Sequence, residues 1–215
     1  MKPFSQASEN NRQPILEVLE KHFTNQQRIL EIGSGTGQHA VYFPQYLQHV
    51  IWQTSDRIEN HSGINQWIDG FPIDNLKRPV ELDVENPDNW NNLARMAHMS
   101  PFDGVFTANT VHIMPWSNVE KMFAGVGELF SYGGGNDTSI PHRFAVYGPF
   151  NRDGAFTSAG NAQFHRHLQE RDPLMGIRND HAVFNLAKKY SLKIAYDIDM
   201  PANNRILIFD YVSFT

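Results

Sequence analysis

Residues 28–37, Arg28-Ile29-Leu30-Glu31-Ile32-Gly33-Ser34-Gly35-Thr36-Gly37, constrain this chain more than any other stretch. A short apolar run ends at a carboxylate and then breaks into three glycines at alternating positions. The pattern predicts a buried parallel strand over 28–32 entering a tight turn, with a helix leaving it from residue 38. Such a turn lets a ligand approach bare backbone, because glycine has no Cβ and accepts positive φ at little cost.

The glycine spacing separates two ligand classes. The dinucleotide fingerprint G-x-G-x-x-G carries its third glycine inside the helix, and here that position is Gln38. The observed order, Glu31-x-Gly33-x-Gly35-x-Gly37, resembles the first motif of class I S-adenosylmethionine-dependent methyltransferases. A sulfonium cofactor has no pyrophosphate to seat on a helix N-terminus. It does carry ammonium and sulfonium charges, beside which Glu31 is electrostatically favourable. Ser34 and Thr36 complete the turn expected to cradle it, and a turn that binds nothing is the alternative reading.

The next two strand ends add acids in order. Val50 to Asp56 reads as a second strand, and Asp56 follows the glycines by about twenty residues, where nucleotide-binding α/β folds put a carboxylate on the ribose hydroxyls. A carboxylate suits that role because it accepts from each hydroxyl. A third strand over 79–83 closes on Asp83. In the methyltransferase pattern that acid accepts from the adenine amino group, and the backbone of the next residue, Val84, meets the ring. Singly, each acid reads sooner as an ordinary strand-end or helix-capping residue; together, in order and at these spacings, they favour a cofactor site.

Composition sets limits on this reading. With 215 residues, 40% of them apolar, the chain can bury one substantial α/β core, so a single domain over 1–215 is expected. No run has the length of a membrane span, and the first residues lack the apolar stretch of a signal peptide. The absence of cysteine removes disulfides, thiolate catalysis and thiolate metal sites, and is consistent with a cytoplasmic protein. A net charge of −5 without a Lys/Arg cluster argues against nucleic acid as the main partner. The ten histidines are scattered, so no metal site is expected.

Strand and helix signals alternate along the chain, which implies a parallel sheet with helices on both faces. Helices are expected over 8–23, 38–48 (with Pro44 placed to kink it), 87–98, 117–130 and 181–190, the last capped by Asn179 or Asp180. Strands four and five read at 102–108 and 143–147, with a loop over 131–141 between them. Residues 149–180 look like a polar excursion holding a short helix near 160–170. Two further strands, Leu192–Ile198 and Arg205–Val212, are joined by only a few residues, so they must form an antiparallel hairpin. A doubly wound, mostly parallel seven-stranded sheet ending in such a hairpin is the Rossmann-like architecture of class I methyltransferases.

Ligands of open α/β sheets bind beyond the carboxyl ends of the strands. Strand four delivers Asn109 and His112 to that edge. Asn109 is a candidate for touching cofactor and acceptor together, and His112 for general base, its ordinary pKa lying near operating pH. A structural, hydrogen-bonded His112 is the alternative. The Asn-Pro-Pro-aromatic motif of many amine-modifying methyltransferases is absent here, and Trp116 reads as core or pocket wall.

Several segments resemble a family of short proteins of unassigned substrate, the methyltransferase-like twenty-six family. They are Asn10-Asn11-Arg12-Gln13-Pro14-Ile15-Leu16, Gly33 to Ala40, Trp52 to Asp56, Tyr147-Gly148-Pro149-Phe150, and Ser158 with Asn161-Ala162-x-Phe164. Arg171-Asp172-Pro173, Gly176-Ile177-Arg178 and Met200-Pro201-Ala202-Asn203-Asn204 continue the match over nearly the whole chain. The chain departs from it by a longer polar loop, Asn136 to His142, and by His165 where the family tends to carry an acid. The resemblance implies a cofactor-binding methyltransferase fold and brings no known substrate.

These readings converge on an S-adenosylmethionine-dependent methyltransferase acting on a small-molecule acceptor, as a monomer or weak homodimer. A small nicotinamide-dependent oxidoreductase and a non-catalytic cofactor-binding protein are the alternatives. Residues 149–180, with 5–12 and 201–204, are expected to form a lid over the strand ends. Arg12, Trp116, Tyr147, Ser158, Asn161, Arg178 and Asn203 are its candidate acceptor-binding residues. Arg178 is suited to clamp a carboxylate or phosphate, or else pairs with Asp180.

Overall fold

The structure, a computed structural model, describes residues 2–132 and 140–212. Five parallel strands, β1 (Arg28–Ile32), β2 (Ile51–Asp56), β3 (Leu76–Glu81), β4 (Gly104–Ala108) and β5 (Arg143–Gly148), are joined by helical crossovers. A short parallel pair, β6 (Phe150–Asn151) with β7 (Arg178–Asn179), stands apart from the sheet. The hairpin β8 (Leu192–Met200) and β9 (Asn204–Tyr211) completes it, with β9 antiparallel to β5. The sheet order is β3-β2-β1-β4-β5-β9-β8. Strand order reverses between β1 and β4, which opens a crevice at their carboxyl ends.

Helices α1 (Gln6–His22), α2 (Gln38–Tyr46) and α3 (His61–Gly70) supply one face's core, and α4 (Pro87–Met99), α5 (Trp116–Tyr132) and α7 (Asp180–Lys189) the other's. The period of two along β1 divides its side chains between these cores. Leu30 and Ile32 pack with Val105, Phe123 and Phe144, and Ile29 packs with Phe43, Trp52 and Phe106 on the opposite face. Both faces being covered, the strand has no solvent side. That is why its sequence is almost continuously apolar. Glu31 shares the Ile29 face and is the one charge in the strand's buried part.

Helix starts follow the sequence cues. Ser5, Asn86, Ser158 and Asn179 cap α1, α4, α6 (Ala159–Arg171) and α7, each accepting a backbone N–H of the first turn. Pro44 does lie inside α2, two residues before its end, where few helical bonds remain to be lost.

Four segments differ from or add to the expectations. Residues 57–78 contain a turn of 3₁₀ helix at Ile58–Asn60 and the helix α3. Gly63 and Gly70 mask that helix by composition, and the Ile64/Ile68 stripe at four-residue spacing reveals it. β3 runs 76–81, so Asp83 follows its end by two residues. The excursion 149–180 is stitched at both ends by β6 and β7, a pairing too short to announce itself. Of the expected loop 131–141, Ser131 and Tyr132 belong to α5, and residues 133–139 lie outside the described residues.

Candidate functional site

The turn after β1 is held from β2. Gly33 and Ser34 both donate to the Ser55 carbonyl at 3.0 Å, while the Ser55 hydroxyl donates to the Glu31 carbonyl at 2.7 Å. This places the Gly35 amide 2.7 Å from the Asp56 carboxylate, to which it donates. Asp56 also accepts from the Arg57 amide and the Asn60 side chain, each at 2.7 Å.

The three glycines of the motif serve different ends. A Cβ on Gly33 would meet the Thr110 methyl at 2.8 Å, and one on Gly37 would stand 3.0 Å from the Ile64 backbone. Both are needed for packing. A Cβ on Gly35 would meet nothing closer than 3.9 Å. Gly35 therefore faces open space beside Asp56, which is the cradle a ligand needs.

Glu31 points into this region from below. Its carboxylate accepts from the Trp52 indole N–H at 3.0 Å and the Ser34 hydroxyl at 2.9 Å. Burial pushes its carboxyl up to about 7 despite those two donors. A nearby cation would favour the ionised form. Leu82 donates to the Asp56 carbonyl at 2.9 Å and so brings the Asp83 turn alongside Asp56. Asp83 accepts from the Glu85 amide, and the Val84 carbonyl accepts from Trp90. Thr36 donates to Gln38, whose side chain also receives the Ser5 amide and donates to Glu9. The start of α1 is thus tied to the glycine turn.

Sequence reasoning passed over Trp52, Ser55, Ile58 and Asn60. Ile58 is 60% exposed two residues after Asp56, an apolar face beside the acid. An uncovered isoleucine next to a strand-end carboxylate was the available signal. Glu31 within β1, Asp56 at the end of β2, Asp83 two residues beyond β3, open space over Gly35 and the exposed Ile58 together fit a cationic ligand carrying a diol and a flat ring.

Asn109 follows β4 in the left-handed region, φ 59°, with its amide donating to the Tyr147 carbonyl at 2.9 Å. Asn is among the few residues that tolerate that conformation. His112 is buried with its ring edge-on to Phe164, centroids 5.4 Å apart, and beside Gly148. Its ring nitrogens have no hydrogen-bond partner among the described residues. Burial, aided by Arg178, pushes its imidazole down to about 4, so it is neutral at neutral pH.

The remaining candidates are tied to one another. Ser158 caps α6, while the Asn161 side chain donates to Thr157 and to the Asn203 carbonyl. Asn203 lines a cleft of about 730 Å³ with Arg152, Phe156, Thr157, Asn204 and Arg205. Tyr147 is buried, and the amides of Asn11 and Asn204 face its hydroxyl. Arg12 pairs with Glu9 and stacks on Tyr42, and the Trp116 indole donates to Glu120.

Arg178 differs from both of its sequence readings. It does not pair with Asp180, which faces Arg205 at 3.0 Å. Its Nε and Nη2 instead donate to the carbonyls of Val111, Met114 and Leu174, binding the excursion to the loop after β4. A clamp on an anionic acceptor would need those donors. Among the described residues one cluster of potential metal ligands, Asp153, Asp180 and His181, does form, with Asp180 already neutralised by Arg205 and His181 bonded to Asp153. Among the described residues no helix is long and apolar enough to cross a membrane.

A family model described as "Protein of unknown function (DUF938)" matches residues 2–211. The chain belongs to the DUF938 family. Solved structures share the fold of this DUF938 chain. An O-methyltransferase family protein from Burkholderia thailandensis superposes with a TM-score of 0.73 at 13% identity, over 96% of this chain and 58% of that one. The S-adenosylmethionine-dependent methyltransferase SibL gives 0.70 at 13% identity, over 96% and 56%. Human N-acetylserotonin methyltransferase, in complex with S-adenosylmethionine, gives 0.71 at 10%, over 97% and 53%. The DUF938 chain therefore spans little more than half the length of these proteins, and the likeness is one of fold.

Proposed function

We propose that this DUF938 chain is an S-adenosylmethionine-dependent methyltransferase acting on a small-molecule acceptor. The observation that carries the reading is the Gly35–Asp56 contact, with open space over Gly35 and the buried Glu31 beneath. The fold shared with proteins named as methyltransferases and the segments resembling the methyltransferase-like twenty-six family support it further. The antiparallel β8–β9 hairpin speaks against a nicotinamide-dependent oxidoreductase, whose sheet continues with parallel strands. A single cytoplasmic domain over 1–215, working as a monomer or weak homodimer, belongs to the same proposal.

In this reading Asp56, supported by Asn60, would hold the ribose hydroxyls, and Ile58 and the Asp83–Val84 turn would hold the adenine. Glu31 faces the methionine ammonium, with Gly33, Ser34, Thr36 and Gly37 holding the turn. When bound, the cofactor supplies a methyl group activated by positive sulfur. The protein then needs chiefly to align an acceptor and, where that acceptor is an acid, to take its proton. Asn109 borders both ligands, and His112 is neutral but, held down at about 4, is a weaker base than the ordinary imidazole expected from the sequence. Arg12, Trp116, Tyr147, Ser158, Asn161, Arg178 and Asn203 act as walls and fastenings of the lid.

Calorimetric titration of wild type and Asp56→Ala with S-adenosylmethionine, S-adenosylhomocysteine and NADH tests this. Preference for NADH overturns it. A labelled-methyl screen of cell extracts follows, in which tight cofactor binding without any transfer would replace the enzyme with a cofactor sensor. Salt-dependent binding to transfer or ribosomal RNA in a gel shift would replace the small-molecule acceptor.

A further inference from the structure

The seven-stranded sheet has two edges, β3 and β8. β3 is blunted by Lys77, Arg78 and Pro79, the last with no N–H to offer a further strand. β8 contains no proline. A register shift between Ile194 and Tyr196 interrupts its pairing with β9 and leaves Tyr196–Met200 as the regular stretch. Tyr196, Asp197 and Asp199 are exposed there. Among the described residues no strand pairs with the outer side of this stretch.

A groove of about 610 Å³ runs beside that open edge. One wall is the face of β8 that presents Tyr196, Ile198 and Met200, alternate residues of the strand. The other is α1, where Pro14 and Val18 stand one turn apart. A strand added to β8 would lie along this groove and set every second side chain between Val18 and Ile198. An open edge beside an apolar groove is how sheets receive extended peptides, backbone bonds giving affinity and alternate side chains specificity.

Charge specifies the remaining side chains, which would lie beside Asp197 and Asp199 on the other face of β8. The ionic groups gathered there are Asp153, Asp180, Asp197 and Asp199 against Arg152 and Arg205, with His181 on Asp153. That set is acidic even with His181 protonated. On the groove side Glu17 and Lys21 offset each other, and Arg143 is paired with Asp210. A second copy of this chain is a poor occupant. Antiparallel pairing about Ile198 would set Asp197 of each copy against Asp199 of the other, and like charges directly opposite are destabilising.

We propose that the β8 edge docks an extended segment of another protein in which apolar residues alternate with lysine or arginine. The segment adds an eighth strand over Tyr196–Met200, its apolar residues in the groove against Val18 and its basic residues beside Asp197 and Asp199. The inference stands apart from the methyl-transfer reading.

Two capped peptides test it on the full chain, Val-Lys-Val-Lys-Val-Lys-Val and its counterpart with glutamate in place of lysine. In calorimetry the basic peptide should bind at least about tenfold more tightly than the acidic one. It should also slow amide exchange in residues 195–200, as a newly paired strand does. Asp199→Lys, at a side chain 80% exposed, should abolish the preference. Equal or tighter binding of the acidic peptide overturns the proposal, as does no binding of the basic one at about 1 mM. So does a preference undiminished in Asp199→Lys, or binding that leaves exchange in 195–200 unchanged. Self-association that protects 195–200 in sedimentation and exchange experiments without peptide would give the edge to a second copy and overturn it too.

Discussion

Trp52 donates its indole N–H to Glu31 at 3.0 Å, from one parallel strand to the next, inside the core face that carries Phe43 and Phe106. A carboxyl is thereby kept where burial raises its pKa to about 7 from an ordinary 4.5. The folded state then holds a proton that the unfolded chain releases between those values. This group's contribution to stability is full below pH 4.5 and is lost as pH rises to 7, to the extent of about 3 kcal/mol. His39 and His112, both pushed down to about 4 by burial, act oppositely and add stability as pH rises from 4 to 6.5. Urea midpoints measured from pH 5 to 8 should therefore rise to about pH 6.5, where the two histidines outweigh Glu31, fall between about 6.5 and 7 and then level off; Glu31→Gln, which keeps an acceptor for Trp52, should remove the fall and steepen the rise. Binding of S-adenosylmethionine at pH 6 should release protons, seen as a buffer-dependent heat.

Asp56 joins the glycine turn to the helix beyond β2 through three hydrogen bonds. Asp56→Ala should weaken S-adenosylhomocysteine by about 1.5–3 kcal/mol, ten- to a hundredfold, as loss of a charged acceptor does. Asp56→Asn keeps one acceptor oxygen and should fall between. Equal affinity of all three proteins by calorimetry would remove Asp56 from the site.

Gly35 and Gly37 separate ligand binding from packing. Gly37→Ala would set a Cβ against the Ile64 backbone at φ +89° and should cost about 1–3 kcal/mol of stability. Gly35→Ala has room, so its stability loss should stay near 1 kcal/mol, the cost of a left-handed alanine, while cofactor affinity falls. Thermal melts and titrations of both variants check the division.

Arg205 is 2% exposed, bonded to Asp180 on one side and Asp197 on the other. Arg205→Met strands those carboxylates, Asp180 deep in the structure. A loss of about 3–5 kcal/mol is expected in urea denaturation, and Arg205→Lys should recover only part of it.

Arg178 fastens β7 to the loop that carries His112. Arg178→Gln should speed hydrogen exchange in 109–116 and 172–178 while leaving β1 and β2 protected. If 149–180 exchanges at one rate with and without S-adenosylhomocysteine, the excursion is no lid.

Local order was legible because it is written locally. The 28–37 strand and turn, the Asn179 cap and the hairpin after Leu192 each follow from side-chain period, capping chemistry or chain length within a few residues. The helix at 61–70 was missed because its two glycines outweigh its apolar stripe by composition. β6 and β7 were missed because a two-residue pairing between residues 28 positions apart leaves no pattern.

The sequence by itself determined the seven strands of the sheet, its parallel part with the terminal hairpin, and the placing of Glu31, Asp56 and Asn109 near strand ends, because side-chain alternation and turn chemistry act between neighbours. Only the tertiary structure decided what those side chains meet. Arg178 was free to read as an anion clamp until Val111, Met114 and Leu174 turned their carbonyls to it. Glu31 is an ordinary acid until Trp52 and the core close over it. Hydrogen-bond partners and burial are set by residues distant along the chain, and no local pattern encodes them.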